Sequence, residues 1–466
     1  MKNNVTFLAL IAALGGFLFG YDTAIISGTI GLVKTQFELS TVMEGWYVSS
    51  ALVGTILGVS IAGFLSDRYG RKNILIMSGL FFALSAIGCA ISGSFNGLVI
   101  YRIFGGIGVG IASMLSPLYI SEIAPAKNRG RLVALYQLAI TLGILIAYFA
   151  NAYLLAHSKS ESLVDSVGIT KKVFVSEVWR AMLGSETIPA LVFLLLLFAI
   201  PKSPRWLTMK GKKEQAKNIL LRFISEQEAN TEIQNVEEVL SKESGGIKAV
   251  FSGPFKSAMI IGISLAVLSQ ISGINAIIYY GPKILEEGGL QLGEALGGQV
   301  VIGIVNVLFT FVALWKIDDL GRKPLLTFGI IGIMISLLVV GLLFYFEVNN
   351  TYLLMTFILT FIACFAFSFG PVLWVLLSEI YPLKIRGSAM SIATMAVWVG
   401  TTFVGQMTPW FLENLKPHGT FWFFAACMIP AIYLAVKVLP ETKGKTLEEI
   451  ENYWLTKKGN HESIER

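Results

Sequence analysis

The chain has 466 residues, 55% of them hydrophobic and 14% charged, with a mean hydropathy of +0.70. A soluble domain carries about 25% charged residues, so these values exclude an ordinary soluble fold and point to an integral membrane protein. The net charge of +6 does not indicate nucleic acid, because the basic residues lie between apolar runs instead of forming one patch.

A run of about 20 apolar residues is long enough for a helix to cross a bilayer. Twelve such spans are predicted, near 6–29, 44–65, 74–93, 97–120, 132–156, 179–200, 257–282, 296–316, 325–346, 352–376, 388–412 and 419–436. The first contains "FGYDTAIISG", which sets Asp22 in its outer third. A carboxylate at such depth costs roughly 2.5–3.5 kcal/mol on insertion scales, so something must offset the charge or use it. No cleavable signal peptide is expected, since this first run is too long and lacks a clear cleavage site. Only 201–256 interrupts the spans with a long polar stretch. There Ala216, Ile219, Leu220 and Phe223 recur at helical spacing opposite lysines, which predicts short amphipathic helices on the membrane face. Cys89, Cys364 and Cys427 fall inside apolar runs and read as core packing, not as disulfides or metal ligands. The three histidines lie outside the spans, so no metal site and no cofactor are expected.

The loops on the side of the N-terminus carry several times as many Lys and Arg as those opposite. The positive-inside rule therefore puts both termini in the cytoplasm. The chain also repeats itself. "DRYGRK" (67–72) after span 2 returns as "DDLGRK" (318–323) after span 8, and "SEIAPAKNRG" (121–130) returns as "SEIYPLKIRG" (378–387). "PKSPRWL" after span 6 has a shorter echo in "PETKG" (440–444) after span 12. Three matches in the same order imply a duplicated six-helix unit. The organisation expected is an N-terminal half over 1–200, a cytoplasmic helical linker over 201–256, a C-terminal half over 257–438 and a cytoplasmic tail over 439–466. Two such halves with a site between them suit an alternating-access transporter.

Counting inward along the helices, Asp22 in span 1, Arg102 in span 4 and Glu186 in span 6 lie about 5–7 residues from the outer end, or roughly 10 Å. Three ionisable residues from three helices of one half thus share a depth. One reading is a buried ion pair that only holds helices together; the other is a site that takes up a proton. Burial raises the pKa of an acid and a neighbouring arginine lowers it, so a moving arginine would make Asp22 protonatable. The spans also hold neutral amides and aromatic planes, namely Gln137, Gln270, Asn275, Asn306, Trp374 and Trp398. A sugar, with many hydroxyls and a few C–H faces, needs such groups. Taken singly, each amide is better explained by an interhelical hydrogen bond. Gly370 and Pro371 precede Trp374 and should weaken span 10 there, a break suited to a gate.

The motifs GxxxDRxGRK at Gly63–Lys72, "PKSPRWL", "QISGINAIIYY", "GPVLWVLLSEIYP" and "PETKG" resemble those of the sugar porter branch of the major facilitator superfamily over nearly the whole chain. Within that branch, "YRIFGGIGVGIASMLSPLYISEIAP" and "SETIPALVFLLLL" look most like stretches of the bacterial D-xylose–proton symporters. The resemblance implies an all-α fold of twelve membrane helices in two halves and proton-coupled monosaccharide symport. It puts the proton on Asp22, with Arg102 and Glu186 as modulators; facilitative relatives typically have Asn at the Asp22 position. It assigns sugar contacts to Phe19, Gln137, Gln270, Asn275, Tyr279 and Trp374. It also implies that Asp67, Arg71, Glu122 and Arg129 in one half, and Asp318, Arg322, Glu379 and Arg386 in the other, form weak ion pairs that close the cytoplasmic side. Ile144, Ser269 and Val397 stand where the xylose symporters have Gln, so the resemblance does not single out D-xylose over a hexose or another pentose. The partners expected are a monosaccharide, protons and the lipid bilayer, with no nucleic acid, and the protein is expected to be monomeric. Competing readings are a facilitative uniporter with a structural Asp22, and a non-transporting sugar sensor, against which the short tail after Lys437 argues. A membrane enzyme is disfavoured, since no nucleophile–base set, metal constellation or phosphate loop is present.

Overall fold

The structure is a computed structural model and describes residues 3–125, 128–241, 256–348, 350–381, 386–443 and 449. Among the described residues every regular element is helical. Twelve helices are long and apolar enough to cross a membrane: Val5–Gly28, Thr41–Tyr69, Arg71–Ile91, Phe95–Ile123, Arg129–His157, Trp179–Ala199, Lys256–Glu287, Leu292–Ile317, Arg322–Tyr345, Thr351–Ile380, Ser388–Asn414 and Lys416–Val438. They are numbered here as spans 1 to 12, and each overlaps its predicted run. The chain divides into two compact units, Met1–Glu243 with Leu292–Gly303, and Ser244–Gln291 with Ile304–Arg466.

In the first unit, glycine lets backbones meet. A Cβ added at Gly106 would lie 1.8 Å from the carbonyl oxygen of Ala51, and one at Gly110 2.3 Å from that of Thr55. From the facing side, a Cβ at Gly54 would lie 2.2 Å from the Ile103 oxygen and one at Gly58 2.5 Å from that of Ile107. Spans 2 and 4 thus interlock through small residues four apart, the packing that helices in lipid use when no hydrophobic force drives them together. Spans 1 and 5 meet in the same way: a Cβ added at Gly20 would lie 2.0 Å from the Ile140 oxygen, and one at Gly143 2.1 Å from that of Phe17. Asp22 sits half a turn beyond this contact. Spans 3 and 9 both start after a glycine at positive φ, Gly70 at 94° and Gly321 at 90°, which is why the repeated motif has glycine at that place.

Three spans are broken. Span 6 consists of Trp179–Ser185 and Thr187–Ala199, with Glu186 between them. Pro189 has no N–H to offer the carbonyl of Ser185 and its ring crowds that group, so the ladder fails there. Span 10 consists of Thr351–Phe367 and Phe369–Ile380. Its break falls at Ser368, before the predicted Gly370–Pro371, because Pro371 acts on the carbonyl of Phe367, four residues back. Span 7 was expected to be continuous over 257–282, yet it ends one helix at Gln270 and starts another at Ile274. Gly273 adopts φ 87° at this break, and a Cβ there would press on the Phe424 ring at 2.8 Å.

Between the sixth and seventh spans lie the helices Pro204–Met209, Lys213–Leu220 and Glu226–Ser241. Ser203 caps the first, its Oγ accepting from the Trp206 N–H at 3.1 Å, with Pro204 at the first helical position. Trp206, Leu207 and Ala216 form one small core, and Leu220, Ala229 and Ile233 a second. Of the expected apolar stripe, Ala216 and Leu220 are buried, whereas Phe223 lies beyond the helix end.

Candidate functional site

The structure brings Asp22, Arg102 and Glu186 together inside the first unit. Arg102 Nη1 donates to Asp22 Oδ1 at 2.6 Å, and the two side chains are 3% and 4% exposed. Glu186 is 2% exposed, at the break in span 6, and its carboxyl lies close enough to that of Asp22 to interact with it. Neither Glu186 Oε1 nor Arg102 Nε has a hydrogen-bond partner. Gly105 keeps the approach open, since a Cβ there would lie 3.6 Å from Asp22 Oδ1 and 2.5 Å from Ser85 Oγ. Two carboxyl groups and one guanidinium, shut away from water, balance their charge only when one carboxyl carries a proton. The cluster is therefore suited to holding a proton and to exchanging it when the arginine moves.

The motif charges form one cluster in each unit. In the first, Arg71 Nε donates to both oxygens of Glu122 at 3.1 Å, and Nη1 reaches Asp67 Oδ1 at 2.8 Å and the Ser66 carbonyl at 3.2 Å. Ser203 Oγ donates to Glu122 Oε2 at 2.5 Å. In the second, Arg322 donates to Glu379 at 3.2 and 2.9 Å and to the Ile317 carbonyl at 3.2 Å, while Thr442 Oγ1 donates to Glu379 Oε2 at 2.5 Å. The two units thus repeat an arginine, a glutamate, a backbone carbonyl and a hydroxyl. Ser203 and Thr442 were not singled out in the sequence, although the echo of "PKSP" in "PETK" marks both. Glu441 accepts from the backbone N–H groups of Arg322, Lys323 and Lys443 at 3.1, 3.0 and 2.8 Å. Burial pushes its carboxyl up, but these backbone donors outweigh burial and hold it below its ordinary value.

Two expectations change. Arg71 and Glu122 were expected to be exposed and weak, but they are 6% and 1% exposed, because the linker helix that starts at Pro204 covers them. Arg129 pairs with Glu232 of the linker at 3.3 Å, not with the motif charges. The side chains of Asp318 and Arg386 lie outside the described residues.

Of the residues assigned to sugar, Phe19 and Gln137 belong to the first unit, and Gln270, Asn275, Tyr279, Asn306, Trp374 and Trp398 to the second. The break in span 7 turns Asn275 back on Gln270. Asn275 Nδ2 donates to Gln270 Oε1 at 2.7 Å, and Gln270 Nε2 donates to Ser269 Oγ at 2.9 Å. Thr401, which sequence reasoning missed, places its hydroxyl 2.9 Å from the same Gln270 Oε1. One turn earlier on span 11, Trp398 is 6% exposed; Tyr279 is 2% exposed, and Trp374, just past the break in span 10, is 37% exposed. Gln270 and Asn275 are thus joined in one network with Ser269 and Thr401, whereas no described hydrogen bond ties the Asn306 side chain to it. Ile144, Ser269 and Val397 are all buried.

A family model described as "Sugar (and other) transporter" matches residues 8–454. The chain is 41% identical to the arabinose-proton symporter of Bacillus subtilis over 452 residues, 97% of this chain and 95% of that one. It is 38% identical to the D-xylose-proton symporter of Escherichia coli over 481 residues, 96% and 95% of the two chains. The solved structure of the xylose transporter XylE from E. coli, in a partially occluded inward open conformation, is similar with a TM-score of 0.82 at 36% identity. That match covers 95% of this chain and all of the other.

Proposed function

Because the chain belongs to the family of sugar (and other) transporters, we propose that it carries a monosaccharide, a pentose or a hexose, together with a proton by alternating access. It is a multi-pass membrane protein; we place it in the cell's inner membrane with both termini in the cytoplasm, working as a monomer and without covalent chemistry. The observation that carries the proton part is the buried cluster of Asp22, Arg102 and Glu186. An ion pair needed only to join helices would balance its own charge; here a second carboxyl is added to a closed pair. In this reading Asp22 takes the proton and Arg102 and Glu186 set when it is held. Phe19, Gln137, Gln270, Asn275, Tyr279, Asn306, Trp374 and Trp398 contact the sugar. Asp67, Arg71, Glu122, Arg129, Asp318, Arg322, Glu379 and Arg386 act in closing the cytoplasmic side.

The test is uptake of labelled sugar into proteoliposomes under an imposed pH gradient and membrane potential. One charge moving through 100 mV yields about 2.3 kcal/mol, enough for roughly 50-fold accumulation. Accumulation that collapses on adding a protonophore is expected. Equilibration without accumulation would make the protein a uniporter and Asp22 structural. Competition by a panel of unlabelled sugars in the same vesicles identifies the substrate.

A further inference from the structure

Tyr21 and Ser185 each immediately precede an acid of the buried cluster, Asp22 and Glu186, and they are bonded to each other. The Tyr21 hydroxyl lies 2.7 Å from Ser185 Oγ, and Ser185 Oγ lies 2.5 Å from the Met182 carbonyl. Only one proton is available on the serine. With that proton on the Met182 carbonyl, Tyr21 is the donor to Ser185.

The bond sits at the break in span 6. Pro189 denies the Ser185 carbonyl its helical partner, so the chain can turn between Ser185 and Glu186. The Glu186 N–H turns to the carbonyls of Gly184 and Leu183, the latter at a long 3.4 Å. Successive residues of a helix point about 100° apart, so Tyr21 and Asp22 reach span 6 from different directions. A bond through Tyr21 therefore fixes the rotation of span 1 against the hinge, which the acid pair alone cannot do. Tyr21 is 4% exposed, so water does not compete for its hydroxyl.

We propose that the Tyr21–Ser185 hydrogen bond is a positioning contact that sets the separation of the Asp22 and Glu186 carboxyls, and with it the pH range over which sugar and proton are coupled. The proposal rests on the symport reading above. The other groups acting on this pair come from the neighbouring spans. Arg102 of span 4 bonds Asp22, and Tyr47 of span 2 and Cys89 of span 3 lie close enough to interact with Asp22 and Arg102. Span 5 meets this part of span 1 with Ile140, Gly143 and Asn151, which do not titrate. Tyr21 and Ser185 are thus neutral hydroxyls with no described hydrogen bond to the carboxylates or the guanidinium, and Tyr21 also lies close enough to Glu186 to interact with it.

The experiment is the pH profile of sugar accumulation in proteoliposomes for the parent, Tyr21→Phe, Ser185→Ala and the double variant. Infrared pH-difference spectra of the carboxyl C=O band are recorded on the same proteins. Both single variants should shift the profile by about half a pH unit or more, with a matching shift in the carboxyl band. The double variant should move no further than either single one. Sugar affinity at one fixed pH should stay within about twofold. Should Tyr21→Phe fail to fold, Ser185→Ala breaks the same bond from the other side without touching the aromatic packing. Superimposable profiles and spectra in a parent that couples would overturn the proposal alone, as would a double variant whose shift is the sum of the two. A parent that moves sugar without protons would overturn the symport reading and the proposal with it.

Discussion

Removing one member of the Asp22–Arg102 pair should harm the protein more than removing both. The side chains are almost fully enclosed, at 3% and 4% exposure, and meet at 2.6 Å. A buried charge left without its partner costs about 3–5 kcal/mol, whereas replacing the whole pair by apolar groups of similar volume is often close to neutral. Asp22→Leu and Arg102→Leu should each destabilise by about 3–5 kcal/mol, and the double variant should recover most of one such loss. Glu186 sharpens the test. In Arg102→Leu its carboxyl faces that of Asp22 with no cation beside them, so Glu186→Gln should partly rescue that variant. The assay is urea unfolding of purified protein in one detergent, followed by tryptophan fluorescence and analysed as a double-mutant cycle. Proteins lacking Asp22 should also lose accumulation in vesicles, whatever their stability. Losses that simply add would refute the claim that the two charges are neutralised by each other.

Further outcomes follow from other parts of the molecule. Trp374→Ala and Gln137→Ala should each weaken equilibrium sugar binding by about tenfold or more, near 1.4 kcal/mol; unchanged binding in both would dismiss these positions as sugar contacts. Glu379→Ala should raise cysteine labelling from the cytoplasmic side and lower transport, and unaltered labelling of a folded variant would remove Glu379 from the closing machinery. Gly106→Val should prevent folding, since a Cβ there would lie 1.8 Å from the Ala51 oxygen, and a monodisperse peak on gel filtration would contradict the close packing of spans 2 and 4. Glu441 titrates below its ordinary value, so its contribution is present above the ordinary carboxylate pKa of about 4.3 and is lost as pH falls through the lower folded value. The stability gap between parent and Glu441→Gln should therefore be open at pH 7 and close in stronger acid; a gap independent of pH would mean the carboxylate does not cap span 9.

Much of the molecule is legible in the sequence because lipid leaves few choices. A span must be long and apolar, and a charge within it must be matched, so the twelve helices and the meeting of Asp22, Arg102 and Glu186 can be found by counting. The breaks are less legible. Proline disturbs the carbonyl four residues earlier, so Pro189 and Pro371 mark positions 185 and 367 instead of their own. Gly273 breaks span 7 without any proline, through a backbone conformation that a hydropathy pattern does not record. The partners of Arg129 and Glu122 were also hidden. Glu232 and Ser203 lie more than 80 residues away in a segment whose own pattern shows only short helices.

The two repeated clusters also differ, and the difference follows from one position. Lys202 and Glu441 occupy matching places in "PKSP" and "PETK". In the second unit, the Glu441 carboxylate takes the first free N–H groups of span 9, where a negative charge is favoured by the helix dipole. A lysine cannot do this for span 3. Its ammonium instead lies 5.9 Å from the Trp206 ring, and Lys72 turns to the Phe198 carbonyl at 2.8 Å. The first unit holds its motif by other means: Trp206 Nε1 donates to the Asp67 carbonyl at 3.0 Å, and Arg71 and Glu122 are enclosed. In the second unit Arg322 and Glu379 remain 12% and 22% exposed. Parting a buried pair leaves charge with no solvent to receive it, and parting a wetter one does not. The cluster of Arg322, Glu379 and Thr442 is therefore the cheaper of the two to undo, and Glu441 holds the start of span 9 next to it through backbone N–H groups.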